Sequence, residues 1–195
     1  MARRAALAIA LLTLADGCLY NRFNTNTGRS ATEQLLISDS IRRVVDQLEI
    51  PDVKDRKVAV ELSAIPSADA TYLKNMLEGR LGSAGATLVP VDQAELKIVA
   101  LVGAIGTVDR NASFGLPALP IPSIGTTPPI PFVASKRQRG YTQAQLLTWS
   151  STGALIAASA PVIDASRFDI TSVLFFEIRR NDVYPGEMRF HIAID

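Results

Sequence analysis

The only cysteine of this chain closes a short apolar run near its start, and that placement sets the terms on which the rest can fold. Arg3-Arg4 forms a positive opening, Ala5 to Ala15 is an 11-residue apolar run, and Ala15-Asp16-Gly17 places small residues three and one before Cys18. This is the pattern of a secretory signal, and the run falls far short of the ~20 residues that a spanning helix needs. Residues 1–17 are therefore expected to be removed, with cleavage between Gly17 and Cys18. A lone cysteine in an exported chain cannot close an internal disulfide. The mature chain must be held by an apolar core, and a 195-residue sequence with 48% hydrophobic residues can supply one.

The same residues resemble a bacterial lipobox, the pattern Leu-(Ala/Ser)-(Gly/Ala)-Cys whose thiol takes diacylglycerol before cleavage. Gly17 and Cys18 match it, while Ala15 stands in place of the usual Leu and Asp16 is an uncommon neighbour. Ordinary signal-peptidase cleavage would cut the same bond. The resemblance implies lipidation of Cys18, with palmitate-type chains; two or three acyl chains anchor stably where one holds weakly. Leu19 follows, with no Asp to resemble an inner-membrane retention signal. The expectation is a lipid-anchored protein of the cell envelope, at the outer membrane and facing the periplasm.

Removing Arg3, Arg4 and Asp16 from 20 basic and 19 acidic side chains leaves 18 of each. A neutral mature chain without runs of Lys or Arg interleaved with aromatics lacks the electrostatic footprint of a nucleic-acid binder.

Residues 18–30 read as the lipidated Cys and a flexible tether. From Leu19 to Arg29 the sequence is polar and aperiodic, spanning roughly 15–20 Å root-mean-square. Residues 31–195 read as one domain. Ser30-Ala31-Thr32-Glu33 has capping-box spacing, and Ile37, Ile41, Val44, Val45 and Leu48 recur at helical steps until Pro51, predicting a helix over 31–49. Lys57 to Ser63 alternates as a strand. Asp69 is placed to cap a second helix running to about Ser83, with Ile65 as a staple, an apolar stripe of Tyr72, Leu73, Met76, Leu77 and Leu81, and termination at Gly82 and Gly85. Short strand character follows at Ala86–Val89. Leu96–Val108 reads as a long strand whose Gly103 and Gly106 mark a bulge or close backbone approach. Tyr141–Ser150 and Gly153–Ser159 form a hairpin turning at Ser151-Thr152-Gly153. Thr171–Arg180 reads as one strand, and Phe190, Ile192 and Ile194 alternate near the end. This order predicts an α/β (α+β) fold, with two helices packed on a mixed, largely antiparallel sheet of about five to six strands.

Three segments carry a wider resemblance. Ser30 to Ser38 is similar to the opening of uncharacterised bacterial envelope lipoproteins, known as a domain of unknown function. Leu96 to Ala104 and Thr152 to Ile156 resemble, in layout, periplasmic lipoproteins of the curli-secretion type. That resemblance implies a subunit of a secretion or export assembly. One segment departs from it. Phe114 to Val133 contains Pro117, Pro120, Pro122, Pro128, Pro129 and Pro131. Proline donates nothing to a strand ladder, and unpaired backbone in hydrocarbon costs several kcal/mol per group, so this stretch is not expected to form a barrel hairpin. It reads instead as an apolar, uncharged loop of polyproline II character. As a recognition strip it would offer Phe114, the six prolines and Phe132 to a partner; alternatively it folds over its own sheet. Lys136, Arg137 and Arg139 follow it.

The parts of an active site are missing. His191 is the only histidine, and no nucleophile elbow, Ser-x-x-Lys, HExxH, Walker loop or paired-cysteine metal motif occurs. Asp92 and Glu95 stand at a strand entrance without an acid–base counterpart, and Asn111-Ala112-Ser113 is a sequon without meaning in a bacterial chain. The expectation is a non-enzymatic envelope module, without cofactor or metal, that binds the membrane through Cys18 and a protein partner or its own copies through its sheet edge or proline strip.

Overall fold

The computed structural model describes residues 19–21, 29–64, 68–121, 125–174, 176–183 and 190–192. Cys18, Gly17, Ile65, Pro122 and Ile194 lie outside them. The elements run β1 (Leu19–Asn21), α1 (Ala31–Gln47), β2 (Lys57–Ala64), α2 (Ala70–Ser83), β3 (Thr87–Leu88), a 3-10 turn (Val91–Gln93), β4 (Leu96–Leu116), β5 (Pro120–Ile121), β6 (Gly125–Thr126), β7 (Ile130–Ser150), β8 (Leu155–Ala158), β9 (Val162–Val173), β10 (Phe176–Asn181) and β11 (Phe190–Ile192). Two helices pack on a mixed sheet of order β11-β10-β9-β7-β4-β2-β3, with β1 added to β4 and β8 to β7. The fold is α+β with strands in the majority, as the alternation of patterns predicts. The chain divides into two compact units, one of Thr27–Val108 with Arg139–Arg167, the other of Met1–Asn26 with Asp109–Gln138 and Phe168–Asp195.

The first unit holds the helices and the apolar core. Ser30 accepts from the Glu33 backbone N–H, and the Glu33 carboxylate accepts from the Ser30 N–H, so the capping box is closed. Leu36, Ile37, Ile41, Val44, Val45 and Leu48 turn inward from α1, and Leu73, Leu77 and Leu81 from α2. All of these except Leu36 form one cluster with Val58 and Val60 of β2, Leu96, Ile98, Ala100 and Val102 of β4, and Ala144 and Leu146 of β7. α2 is the crossover that lets β2 run parallel to both β3 and β4. Arg80 of α2 donates to the carbonyls of Val45 and Leu48, the latter at 2.8 Å, satisfying the otherwise unpaired end of α1.

Several details differ from the sequence reading. Asp69 makes no side-chain cap and instead pairs with Arg29. Tyr72 is exposed rather than part of the stripe. Gly82 lies inside α2; the turn out of the helix is made at Gly85, whose φ of +93° suits a residue without Cβ. Neither Gly103 nor Gly106 lies against neighbouring backbone: the nearest atoms to a Cβ at Gly103 belong to the Gln143 side chain, and nothing lies near Gly106. The predicted hairpin at Ser151-Thr152-Gly153 is present, with β7 and β8 paired antiparallel.

The second unit is a ribbon of strand ends. β4 does not stop at Val108 but continues to Leu116, and β7 begins at Ile130. Phe114–Leu116 and Ile130–Val133, read as loop from their prolines, are therefore strand: Pro117 falls just past the end of β4 and Pro131 is the second residue of β7, positions where a missing N–H costs the ladder little. Thr171–Arg180 is likewise two strands. β9 and β10 pair antiparallel from Val173↔Phe176 to Phe168↔Asn181, and the chain reverses at Leu174, with φ of +53°. No Gly, Asn or Pro marks that reversal, so the alternating apolar pattern ran through it unbroken. Leu19–Asn21, expected within a tether, pairs antiparallel with Asn111–Ser113 of β4.

Candidate functional site

The residues singled out from sequence gather in the ribbon unit. Phe114, near the end of β4, is 56% exposed, and Phe132, near the start of β7, is 38% exposed. Between them the chain makes the two-residue strands β5 and β6, paired as Pro120↔Thr126 and Ile121↔Gly125. Thr127 ties this small hairpin at its base: its N–H donates to the Leu119 carbonyl, and its Oγ1 accepts from the Leu119 N–H, both at 2.9 Å. Pro117, Pro120, Pro128, Pro129 and Pro131 are all exposed. The segment is thus the end of a hairpin, tipped with prolines, rather than a polyproline loop.

The reversal at Leu174 lies beside it, since the Leu174 N–H donates to the Phe132 carbonyl at 2.8 Å. Val173, Leu174 and Phe176 are exposed there, as are Leu116, Leu119, Ile130 and Val133 on the hairpin end. Among the residues of this unit whose side chains are described, 109–120, 125–138, 168–174 and 176–183, only Gln138 is buried, and no apolar side chain is. Gln138 donates to Asp109 at 3.2 Å, while Oδ1 of Asp109 and of Asn111 are sealed from solvent without a hydrogen-bond partner. Phe168, Ile170 and Ile178 are half-buried, so the exposed apolar side chains gather at the hairpin end and the reversal. His191, in β11, is in register with Glu177 of β10.

A cleft lies within the helix-bearing unit. Strand alternation sends Val58, Val60, Leu96, Ile98, Ala144 and Leu146 toward the helices, and the intervening residues to the opposite face. There Glu61, Ser63, Lys97, Val99, Leu101, Leu147 and Trp149, with Ser150, Ser151 and Gly153 of the turn, line a cleft of about 510 Å³. Lys97 Nζ is 2.7 Å from Glu61 Oε2, which neutralises both charges. The remaining lining is apolar wall, hydroxyls and an indole. Sequence reading missed it; the half-buried second face of β4, where Lys97, Val99 and Leu101 alternate with the core residues, was its only signal. Asp92 lies in the 3-10 turn, and Glu95 stands 3.5 Å from Arg56 in an exposed pair. Among the described residues no three His, Cys, Asp or Glu side chains are grouped to hold a metal ion, and no helix is long and apolar enough to cross a membrane.

No protein-family model and no curated protein matches this chain.

Proposed function

We propose that this protein is an exported bacterial lipoprotein, cleaved before Cys18, acylated on that cysteine and held at the outer membrane facing the periplasm, where it acts without enzymatic chemistry as a binding or structural module. The address rests on the spacing of Arg3-Arg4, the apolar run, Gly17 and Cys18. The binding role is carried by one observation: the ribbon unit exposes Phe114, Ile130, Phe132, Leu174 and Phe176 and, among the residues whose side chains are described, buries no apolar side chain of its own. Exposed apolar surface of this kind marks an interaction site. The 21-residue strands β4 and β7, which carry that surface, also favour a second reading, a subunit of an export assembly.

Intact mass and membrane fractionation of native protein beside a Cys18→Ser variant test the first reading. The expected native mass is a chain beginning at Cys18 plus acyl groups, with lipid and membrane attachment both lost in the variant. An unlipidated, soluble native protein would replace it with a free periplasmic domain. A ring or cage of subunits in detergent would select the assembly reading, and a monomer the solitary module.

A further inference from the structure

We propose that the end of the β4–β7 hairpin, together with the β9–β10 reversal, docks on the lipid bilayer and seats the ribbon unit at interfacial depth in the membrane that holds Cys18. This rests on the lipoprotein reading. Three independent features support it.

The first is where charge stops. From Asn111 to Ser135 the chain carries no ionisable side chain, and Arg110 and Lys136 bound that stretch on the two neighbouring strands β4 and β7. Arg110, Lys136 and Arg137 are exposed, so an apolar end is backed by basic residues, the arrangement that meets acyl chains and anionic headgroups in turn. The second is register. β1 pairs Leu19 with Ser113, so the residue covalently bonded to Cys18 is level with the residue before Phe114. The described chain therefore meets its anchored end, at Leu19, beside the apolar end of the ribbon. The third is Leu174, a large apolar residue in the left-handed region with its side chain 60% exposed. That conformation costs roughly 1–2 kcal/mol for a residue with Cβ, and water offers nothing to offset it.

Length and backbone set the depth. The uncharged paired arms, 111–116 and 130–135, are six residues each, or about 20 Å, against the 9–11 residues of a spanning strand. Beyond them the prolines remove N–H donors but leave carbonyls, which hydrocarbon cannot satisfy and interfacial water can. Phe114, Phe132 and Phe176 are apolar side chains of the kind that bury at the boundary of headgroups and acyl chains.

The experiment uses the acylated protein reconstituted into phosphatidylethanolamine/phosphatidylglycerol vesicles. Cys18 is the only cysteine, so once acylated it takes no thiol label, and Phe132→Cys and Phe176→Cys each supply one reactive site; Ile156→Cys, exposed on β8, is the control. An environment-sensitive dye at 132 and 176 is expected to shift to the blue and to lose most of its emission to nitroxide carried on the lipid chains, with neither change at 156. Water-like emission at both 132 and 176 would overturn the docking while leaving the anchor intact. A blue shift that lipid nitroxide does not quench would also overturn it, in favour of burial against protein. Failure of the underlying reading has its own signature: the unsubstituted protein would itself take the label, at a free Cys18.

Discussion

Gly140 governs how closely α1 approaches the sheet. A methyl there would come 2.5 Å from the Leu36 carbonyl oxygen and 2.9 Å from the Ser166 hydroxyl, and that hydroxyl donates to the same carbonyl at 2.5 Å. Next to it Ser40 and Thr142, both fully buried, share a 2.8 Å hydrogen bond. Backbone cannot step aside as a side-chain tip can, so Gly140→Ala is expected to cost about 1–3 kcal/mol, read as a lower urea midpoint. Gly103→Ala is the control, because its closest neighbour is the flexible end of Gln143, and a change within about 0.5 kcal/mol is expected. Arg80 is a second single-residue lock. Arg80→Met keeps much of the stem but leaves the Val45 and Leu48 carbonyls without their charged donor, for an expected loss of about 1.5–3 kcal/mol in the same assay. Neither role was legible in sequence: Arg80 meets carbonyls 35 and 32 positions away, and Gly140 sits where Leu36 and Ser166, 130 positions apart, come together.

At the scale of elements, the clearest local signal was also the most faithful. Ser30 and Glu33 close the capping box as their spacing requires, and Ser30→Ala is expected to cost about 1 kcal/mol, measured by thermal unfolding. Asp39, by hydrogen bond first and by charge second, holds the Arg42 guanidinium above its usual range, and it also accepts from Arg43 at 2.7 Å. A raised folded-state value means that this contribution is present throughout the range below the unfolded value and fades only in strong alkali. Arg42 is half exposed, so solvent screening holds it below about 1 kcal/mol. The β9–β10 reversal is the opposite case. Leu174→Gly removes the left-handed strain but adds freedom to the unfolded chain, for a net gain of about 0.5–1 kcal/mol in denaturant unfolding. If the exposed leucine serves the bilayer, the same change weakens the lipid quenching of a dye at position 132. A more stable variant that docks less well would show function maintained against stability.

For the whole molecule, burial is unevenly shared. The helix-bearing unit contains the hydrophobic cluster, and the ribbon unit, among the residues whose side chains are described, buries only Gln138. The ribbon should therefore be the first part to open in water and should gain order at a membrane. Hydrogen exchange of the protein with and without vesicles checks this: amides of 111–116 and 130–135 are expected to exchange quickly in detergent-free solution and to be protected on vesicles, while α1 and α2 are unchanged.

The sequence by itself determined what repeats or caps locally. The two helices, the alternating strands β2 and β4, the turn at Gly153 and the apolar residues of the core follow from periodicity and capping, which act over a few positions. Tertiary structure decided how far the strands run and what the second faces do. Prolines argued for a loop between Phe114 and Val133, yet pairing of β4 with β7 carries strand to Leu116 and resumes it at Ile130, because a ladder is stabilised by its neighbours as much as by its own residues. The cleft lined by Lys97 and Trp149, the close approach at Gly140 and the exposed cluster around Phe132 and Leu174 each join segments far apart in the chain. No local pattern records which distant strand will lie alongside.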